Sequence, residues 1–279
     1  MIQSVLITGA NKGLGFEAVK QLSAAFPNAI IFLGTRSVSR GQEALTKLRA
    51  ENLGEHVQVL ELDMSSDDSI KRAFEYVRGS VANLDVLINN AGISSEGNTA
   101  ADVFGTNLFG VKTMIDTFTP ILSQNGLIIN VSSEVGTWSQ NSMNAELQDL
   151  LSKIEDVTWE KLADLTADYQ SPTPKHTWPS VDKTFGPYGV SKALLTCYTR
   201  RLAADNSNLR VVAVCPGYCR TEINGNTGFR SPTVGAASII WPIFNPSFEV
   251  GLLYQDGVSQ PFSAPMAPHI AAYLSGHKE

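Results

Sequence analysis

The stretch VLITGANKGLG, residues 5–15, decides the fold of this chain. A short apolar strand runs directly into a glycine-rich loop, and a helical segment over residues 14–25 follows. Glycines let a backbone turn tightly and approach a pyrophosphate, which binds the N–H groups of the helix N-terminus. In this position between a strand and a helix, the loop favours a dinucleotide site. An ATP-binding P-loop is disfavoured because no Gly-Lys-Ser/Thr follows the glycines.

The same alternation of strand and helix continues along the chain. Further short apolar runs predict buried strands at 29–33, 57–60, 86–88, 127–131 and 211–214. Segments of helical length separate them at 39–52, 67–79, 103–123 and 188–205. Continuous apolar strands suit a parallel sheet covered on both faces. The pattern therefore predicts an α/β fold with a doubly wound parallel sheet.

Composition excludes several classes of protein. With 279 residues, 43% hydrophobic and 17% charged, the chain has the composition of an ordinary globular protein. A net charge of −6 gives no basic surface for nucleic acid or an anionic membrane. No apolar stretch approaches about 18 residues, so we expect no membrane partner and no membrane span.

The first residues and the cysteines bear on location. The N-terminus lacks a basic region and enters strand-like sequence at once, so we expect no secretory signal. Three cysteines, at 197, 215 and 219, disfavour a disulfide framework and favour reduced thiols in the cytoplasm. The four histidines have no ligand-like spacing, so we expect no metal site.

One segment, residues 137–185, interrupts the alternation. Within it Leu147, Leu150, Leu151 and Ile154 fall on one helical face, and a second helical stretch lies at 159–167. A tolerated surface loop is the simpler interpretation. The apolar face instead favours an ordered helical insertion subdomain, within a single domain spanning residues 1–279.

Tyr188 and Lys192 lie in the run GPYGVSK, residues 186–192. Four residues apart, they share one face of a helix. A nearby ammonium favours the phenolate and lowers a tyrosine pKa by roughly one to three units. Such a phenol suits proton exchange with a carbonyl or alcohol. By itself the pair is more often surface decoration than catalysis.

The cofactor choice depends on the end of the second strand. An NAD site usually places Asp or Glu there to hold the ribose 2′-hydroxyl, whereas this chain offers Arg36, with Lys12 in the glycine-rich loop. Two cations suit the 2′-phosphate of NADP. The alternative is that both are surface charges beside the loop.

Several motifs occur together in one order along the chain. They are Thr8–Gly15, Asn89-Asn90-Ala91-Gly92, Asn107, Asn130-Val131-Ser132-Ser133, Tyr188–Lys192 and Pro216-Gly217. In this order, over nearly the whole chain, they resemble the short-chain dehydrogenases/reductases. The Lys-Gly pair in the glycine loop, Arg36 and the long insertion resemble the carbonyl-reductase-like branch. The resemblance implies a Rossmann-type sheet of about seven strands, in the order 3-2-1-4-5-6-7.

The resemblance also implies the cofactor site. NADP(H) is the expected cofactor, and the matching positions are Gly9, Asn11, Lys12, Gly13, Leu14, Gly15, Arg36, Asp63, Met64, Asn90, Ala91, Gly92, Tyr188, Lys192, Pro216, Gly217 and Thr221. Asp63 matches the position that contacts the adenine ring; the alternative there is a turn or capping carboxylate.

Four positions match the catalytic residues of the family. Tyr188 is the expected proton donor, and Lys192 is expected to lower its pKa and bind the nicotinamide ribose. Ser133 is expected to hold the carbonyl oxygen, with Ser132 as the alternative if the register slips by one. Asn107 is expected to support a water relay to the lysine.

These matches imply an NADPH-dependent reduction of a ketone, aldehyde or quinone to an alcohol. Trp138, Tyr218 and Phe229 are candidate substrate contacts, and Trp178 and Trp241 further candidate walls. The insertion should cover the face on which shorter relatives associate, so we expect a monomer. The alternative function is a non-catalytic NADP-binding regulatory protein of the same fold.

Overall fold

The computed structural model describes residues 2–178, 186–268 and 270–272. A single sheet of eight strands, in the order β3-β2-β1-β4-β5-β6-β7-β8, forms the centre of the molecule. The strands are β1 Ser4–Ile7, β2 Ile30–Thr35, β3 Val57–Glu61, β4 Leu84–Asn89, β5 Leu122–Val131, β6 Arg210–Val214, β7 Leu253–Gln255 and β8 Val258–Gln260. Strands β1 to β7 are parallel, which confirms the predicted doubly wound sheet and its order.

The sheet has one strand more than expected, because β7 turns back into the antiparallel β8. The turn is made by Asp256 and Gly257, both with positive φ, at 52° and 80°. An Asp-Gly pair is a strong hairpin signal because it accommodates positive φ at both central residues. The sequence thus carries a signal for the eighth strand, although only about seven strands were expected.

Helices cover both faces of the sheet. They are α1 Gly13–Ala25, α2 Val38–Ala50, α3 Asp67–Ser80, α4 Ala100–Phe104, α5 Gly110–Phe118, α6 Glu134–Ser142, α7 Ala145–Ser152, α8 Trp159–Gln170, α9 Gly186–Asp205 and α10 Pro232–Phe244. The helical segment expected over 103–123 is present from Ala100 to Phe118, but it is not a regular α-helix throughout. A π-helical turn, Gly105–Phe109, separates α4 from α5, and the chain has already entered β5 at Leu122.

Successive residues of each central strand enter opposite halves of the core. Leu6, Phe32 and Leu87 pack on one side of the sheet, while Val5 and Ile7 pack on the other. All five are fully buried. This is why the strands read as continuous apolar runs: neither face of the sheet meets water.

Helices α7 and α8 of the 137–185 segment pack against α9. Leu147 and Leu151 are buried in the same core as α9. The guanidinium of Arg200 donates a hydrogen bond to the carbonyl of Leu151, 3.4 Å away. The ring of Trp159 meets those of Phe109 and Tyr198 edge to face, with centroids 5.4 Å apart in both pairs. The last part of the segment, 179–185, lies outside the described residues.

Helices α6 and α9 meet at two glycines. A Cβ added to Gly136 would lie 2.7 Å from the backbone nitrogen of Ala193 on α9. A Cβ added to Gly189 would collide with the hydroxyl of Ser139 on α6. The two helix backbones therefore approach as closely as they do only because these positions carry no side chain.

Candidate active site

The glycine-rich loop lies at the carboxyl edge of the sheet, against the loop that follows β4. Gly9 has φ +63°, and a Cβ there would sit 2.9 Å from the Cα of Ala91. A Cβ on Gly15 would come within 2.6 Å of both the Gly9 carbonyl oxygen and the Asn90 side-chain nitrogen. Close backbone approach and, for Gly9, left-handed geometry explain why these positions are glycine.

Asn90 and Thr8 hold the two loops together. The Asn90 amide donates to the carbonyls of Thr8 and Gly9, at 2.8 and 3.2 Å. The Thr8 hydroxyl oxygen accepts the backbone N–H groups of Asn90 and Ala91, at 3.0 and 2.9 Å. The loop after β4 is thereby fixed beside the N-terminus of α1.

The N-terminus of α1 fits an anionic group. The side chains of Ser37, Ser66 and Ser133 cap α2, α3 and α6, whereas the N-cap residue of α1, Lys12, makes no side-chain capping bond. Uncapped N–H groups and the positive end of the helix dipole attract phosphate. With the glycines that let a ligand approach, this chain can hold the pyrophosphate of a dinucleotide here.

Ser133, Tyr188 and Lys192 come together from the ends of β5 and α9. Ser133 caps α6 by accepting the N–H of Val135 at 3.2 Å, and its hydroxyl hydrogen-bonds the Tyr188 phenol. The ammonium of Lys192 donates to the carbonyl of Val131 at 2.7 Å. It lies 5.7 Å from the centre of the Tyr188 ring.

Ser132 faces a different way from Ser133. Its buried hydroxyl lies 3.0 Å from the carbonyl of Lys192 and 2.7 Å from the hydroxyl of Thr196. These bonds join the end of β5 to α9. The structure thus brings Ser133, and not Ser132, to the tyrosine phenol.

The expected direction of the Tyr188 pKa shift is wrong for this structure. Burial raises the pKa of Tyr188 to about 12, and the hydrogen bond from Ser133 opposes this only in part. Burial also lowers the pKa of Lys192 to about 8. The low dielectric around both groups disfavours phenolate and ammonium alike, and the ammonium is bonded to a backbone carbonyl. Tyr188 therefore keeps its proton at neutral pH.

Asn107 lies in the π-helical turn and is fully buried. Its amide donates to the Ile93 carbonyl at 2.9 Å and to the Ser191 hydroxyl at 3.1 Å, and its oxygen accepts the Ile93 N–H at 2.9 Å. Ser191 in turn donates to the carbonyl of Tyr188 at 2.7 Å. Asn107 thus joins the loop after β4 to the first turn of α9. Single π turns inside helices are frequent at functional sites.

Known proteins resemble this chain over most of its length. The short chain dehydrogenase family model matches residues 3–145. Carbonyl reductase [NADPH] 1 of Sus scrofa is 32% identical over 257 residues, which cover 87% of each chain. The chain belongs to the short-chain dehydrogenase/reductase family. The (+)-neomenthol dehydrogenase of Capsicum annuum is 30% identical, over 91% of this chain and 93% of that relative.

Solved structures of short-chain dehydrogenases/reductases share the fold. Salutaridine reductase from Papaver somniferum superposes with a TM-score of 0.81 at 26% identity, over 90% of this chain and 99% of that one. An NADPH-bound carbonyl reductase from chicken fatty liver has a TM-score of 0.67 at 22% identity, over 93% and 98% of the two chains. The expected resemblance to the carbonyl-reductase-like branch is confirmed by these relatives.

At the outer rim of this short-chain dehydrogenase/reductase site, Lys12 forms an ion pair with Glu222. Arg36 is exposed just beyond β2. The N–H of Ala10 donates to the carbonyl of Gly34 at 2.8 Å, which keeps the glycine-rich loop beside that strand end. Asp63 makes a turn, its carboxylate accepting the N–H and hydroxyl of Ser65 at 2.9 and 2.7 Å.

The remaining cofactor positions are distributed around this edge. Asn11, Gly13 and Leu14 are partly exposed in the glycine-rich loop and the first turn of α1. The carbonyl of Met64 lies so close to the backbone of Gly110 that a Cβ on Gly110 would clash with the carbonyl oxygen. The loop that begins at Pro216 reaches back to the glycine-rich loop, because a Cβ on Gly13 would lie 3.6 Å from the methyl of Thr221.

The substrate candidates lie in two places. Trp138 lines a cavity of about 160 Å³ with Val135, Ser139, Asn141, Ser142, Pro265 and Met266. Tyr218 and Phe229 pair their rings at 5.8 Å on the loop after β6, and half of Phe229 is exposed. Trp178 instead donates to Asp168 within the insertion, and Trp241 stacks on Tyr254 beside β7.

Two residues beside the site, Ser95 and Cys215, belong to none of the sequence motifs described above. The Ser95 hydroxyl accepts the backbone N–H of Tyr188 at 3.0 Å, which supplies an acceptor at the start of α9. The buried sulfur of Cys215 accepts the N–H groups of Glu134 and Gly217, both at 3.3 Å. Burial raises the pKa of the Cys215 thiol to about 12. Both depend on loop geometry, which no local sequence signal gives.

Other classes of site were also sought. Among residues 2–178, 186–268 and 270–272, no cluster of three or more His, Cys, Asp and Glu side chains could hold a metal ion. No helix formed by those residues has the length and apolar character needed to cross a bilayer.

Proposed function

We propose that this protein reduces a carbonyl compound to an alcohol with NADPH, and that Tyr188 donates the proton. One observation carries the proposal. The Ser133 hydroxyl, the Tyr188 phenol and the Lys192 ammonium meet at the sheet edge that also carries the glycine-rich loop. The carbonyl reductase and neomenthol dehydrogenase relatives support an NADP-dependent oxidoreductase.

The cofactor is held by the glycine-rich loop and its neighbours. The N–H groups at the start of α1 would bind the pyrophosphate, and Lys12 and Arg36 would bind the 2′-phosphate. Asp63 and Met64 would contact the adenine, and the remaining contacts would come from Asn90, Ala91, Gly92, Pro216, Gly217 and Thr221. When bound, NADPH supplies the hydride that reduces the carbonyl carbon.

The chain's own residues handle the carbonyl oxygen. Ser133 and Tyr188 both donate hydrogen bonds to it, which fixes the substrate and stabilises developing negative charge. Tyr188 then transfers its phenolic proton to that oxygen. A pKa of about 12 keeps this proton in place at neutral pH. The ammonium of Lys192 stabilises the phenolate as it forms. Asn107 joins the loop after β4 to the first turn of α9, and would support the water relay to Lys192 that returns the proton to Tyr188.

The surroundings suit an apolar ketone, aldehyde or quinone. Aromatic side chains at Trp138, Tyr218 and Phe229 would offer flat apolar surfaces to such a substrate. A net charge of −6 makes nucleic acid an unsuitable partner. The three cysteines are buried free thiols, which supports work in a reducing compartment such as the cytoplasm.

We propose further that the protein is a single-domain monomer. Helices α7 and α8 of the 137–185 insertion lie on α9, where Trp159 packs against Phe109 and Tyr198. Arg201 adds hydrogen bonds to the carbonyls of Ile154 and Glu155, both at 3.3 Å. This helix face is therefore covered by the chain itself. A concentration-independent tetramer in light scattering would contradict the proposal.

The test is NADPH oxidation against a panel of aldehydes, ketones and quinones, with Tyr188→Phe as the matched variant. The phenylalanine keeps the ring and removes only the proton donor. We expect kcat to fall on the order of 10²- to 10⁴-fold, the usual contribution of general acid catalysis, with NADPH affinity retained. Near-wild-type turnover would show that Tyr188 is not the proton donor. NADPH binding without turnover on any carbonyl would favour the regulatory alternative.

A further inference from the structure

The Lys12–Glu222 ion pair joins two segments that are distant in sequence. Lys12 ends the glycine-rich loop, and Glu222 begins a short 3₁₀ turn, Glu222–Asn224, on the loop after β6. The two side chains are 53% and 67% exposed, so water and salt screen the pair and a stronger anion can replace the carboxylate.

Glu222 is held in place by its own loop. The Asn224 side chain accepts the N–H of Thr221 at 3.3 Å and donates to the carbonyl of Cys219 at 2.8 Å. The Thr221 methyl would lie 3.6 Å from a Cβ built on Gly13, so the two loops are neighbours. The backbone that carries Glu222 is therefore fixed beside Lys12.

More than one positive charge acts on the carboxylate. The pKa of Glu222 lies below its usual value because of the hydrogen bond and charge of Lys12, with a smaller contribution from Arg40 on α2. Lys12 is also one of the two cations that we assign to the 2′-phosphate. A carboxylate of the chain is thus paired with a lysine that the proposed function assigns to a phosphate.

We propose that Glu222 is an internal competitor for the 2′-phosphate of the cofactor, and so limits the affinity for NADP(H) over NAD(H). This inference rests on the proposed function. When the phosphate takes Lys12, Glu222 loses its partner. The contact between the glycine-rich loop and the loop bearing Tyr218 and Phe229 then loosens, which couples the adenine end of the site to the substrate wall.

The test is calorimetric titration with adenosine 2′,5′-bisphosphate and with adenosine 5′-monophosphate, neither of which can react. Glu222→Gln removes the competing charge and keeps the size of the side chain. We expect it to bind the bisphosphate about threefold tighter than wild type, the scale of an exposed ion pair, and the monophosphate unchanged. Glu17→Gln, which removes an equal charge from α1, is the matched control and should leave both affinities unchanged.

A second variant separates competition from a general loss of negative charge. In a Lys12→Met background there is nothing to compete for, so we expect Glu222→Gln to have no effect on bisphosphate affinity. Equal tightening with and without Lys12 would overturn the inference, as would unchanged or weaker binding by Glu222→Gln alone. If wild type binds the bisphosphate no better than the monophosphate, the proposed NADP preference fails, and the inference with it.

Discussion

Two lysines illustrate how two regions of the site differ: its floor, formed by Ser133, Tyr188 and Lys192, and its rim, formed by Lys12, Arg36 and Glu222. Lys192 on the floor is 4% exposed and is bonded to a backbone carbonyl, whereas the Lys12 side chain at the rim is 53% exposed and is paired with a carboxylate. On the floor, burial shifts the pKa values and hydrogen bonds fix positions. At the rim, charge acts through water. Chemistry should therefore respond to pH and to small displacements, and cofactor choice to charge and salt.

Of the effects that compare these two regions, the largest expected is the pH dependence of carbonyl reduction that Lys192 causes. The pKa of Lys192 is lowered to about 8, so its ammonium is present below that pH and is lost above it. We expect kcat/KM for carbonyl reduction to fall about tenfold per pH unit above pH ~8, because the charge that stabilises the forming phenolate disappears. Steady-state rates with saturating NADPH from pH 6 to 10 measure it. A flat profile up to pH 10 would mean that this charge is not required.

The next effect belongs to the rim. We expect Arg36→Ala to raise the KM for NADPH about tenfold at low salt, because one charge-assisted bond to phosphate is lost. The effect should shrink as salt rises, since exposed charges are screened. KM for NADH should be unchanged, and Arg49→Ala at the far end of α2 is the matched control. An equal rise for both cofactors would show a structural defect instead of lost phosphate recognition.

The smallest expected effect is on kcat and comes from Ser95, next to the floor of the site. Ser95→Ala removes the acceptor for the Tyr188 N–H, and we expect kcat to fall about fivefold, the scale of one lost helix cap. NADPH affinity should stay unchanged, because Ser95 acts on the position of Tyr188.

Two variants control this measurement. Ser94→Ala removes the neighbouring hydroxyl and should leave kcat unchanged, while Ser95→Thr keeps a hydroxyl and should restore it. If Ser94→Ala and Ser95→Ala lower kcat equally, the loop as a whole matters and the individual hydrogen bond does not.

Local patterns predicted the features that depend on local physics. The apolar runs predicted the parallel sheet, because a strand buried on both faces must be apolar throughout. The order of its strands was implied by the family resemblance, and both are confirmed. The glycines of the loop predicted a tight turn that a pyrophosphate could approach, and the structure shows that Gly9 and Gly15 also leave room for Ala91 and Asn90. The meeting of Ser133 with Tyr188 followed from the order of motifs.

Features that depend on the assembled environment could not be predicted in this way. The pKa of Tyr188 shifts opposite to expectation because spacing indicates a neighbouring charge but not the burial of both groups. Glu222 stands 210 residues from Lys12 and Ser95 stands 93 from Tyr188, so neither pairing has a sequence signal. The π turn could not be predicted either: Gly105, Thr106 and Asn107 are poor helix formers, but such residues do not specify a π turn.

The two glycines between α6 and α9 have a consequence for how such a protein can diversify. Gly136 follows Ser133 by three residues and Gly189 follows Tyr188 by one, so each sets the distance at which its helix presents a hydroxyl that we assign to the reaction. A single added methyl group would push the helices apart and separate the two hydroxyls. Side chains on the loops can therefore be exchanged without altering this spacing. In this protein the tolerance for evolutionary change is set in part by two atoms that the glycines lack.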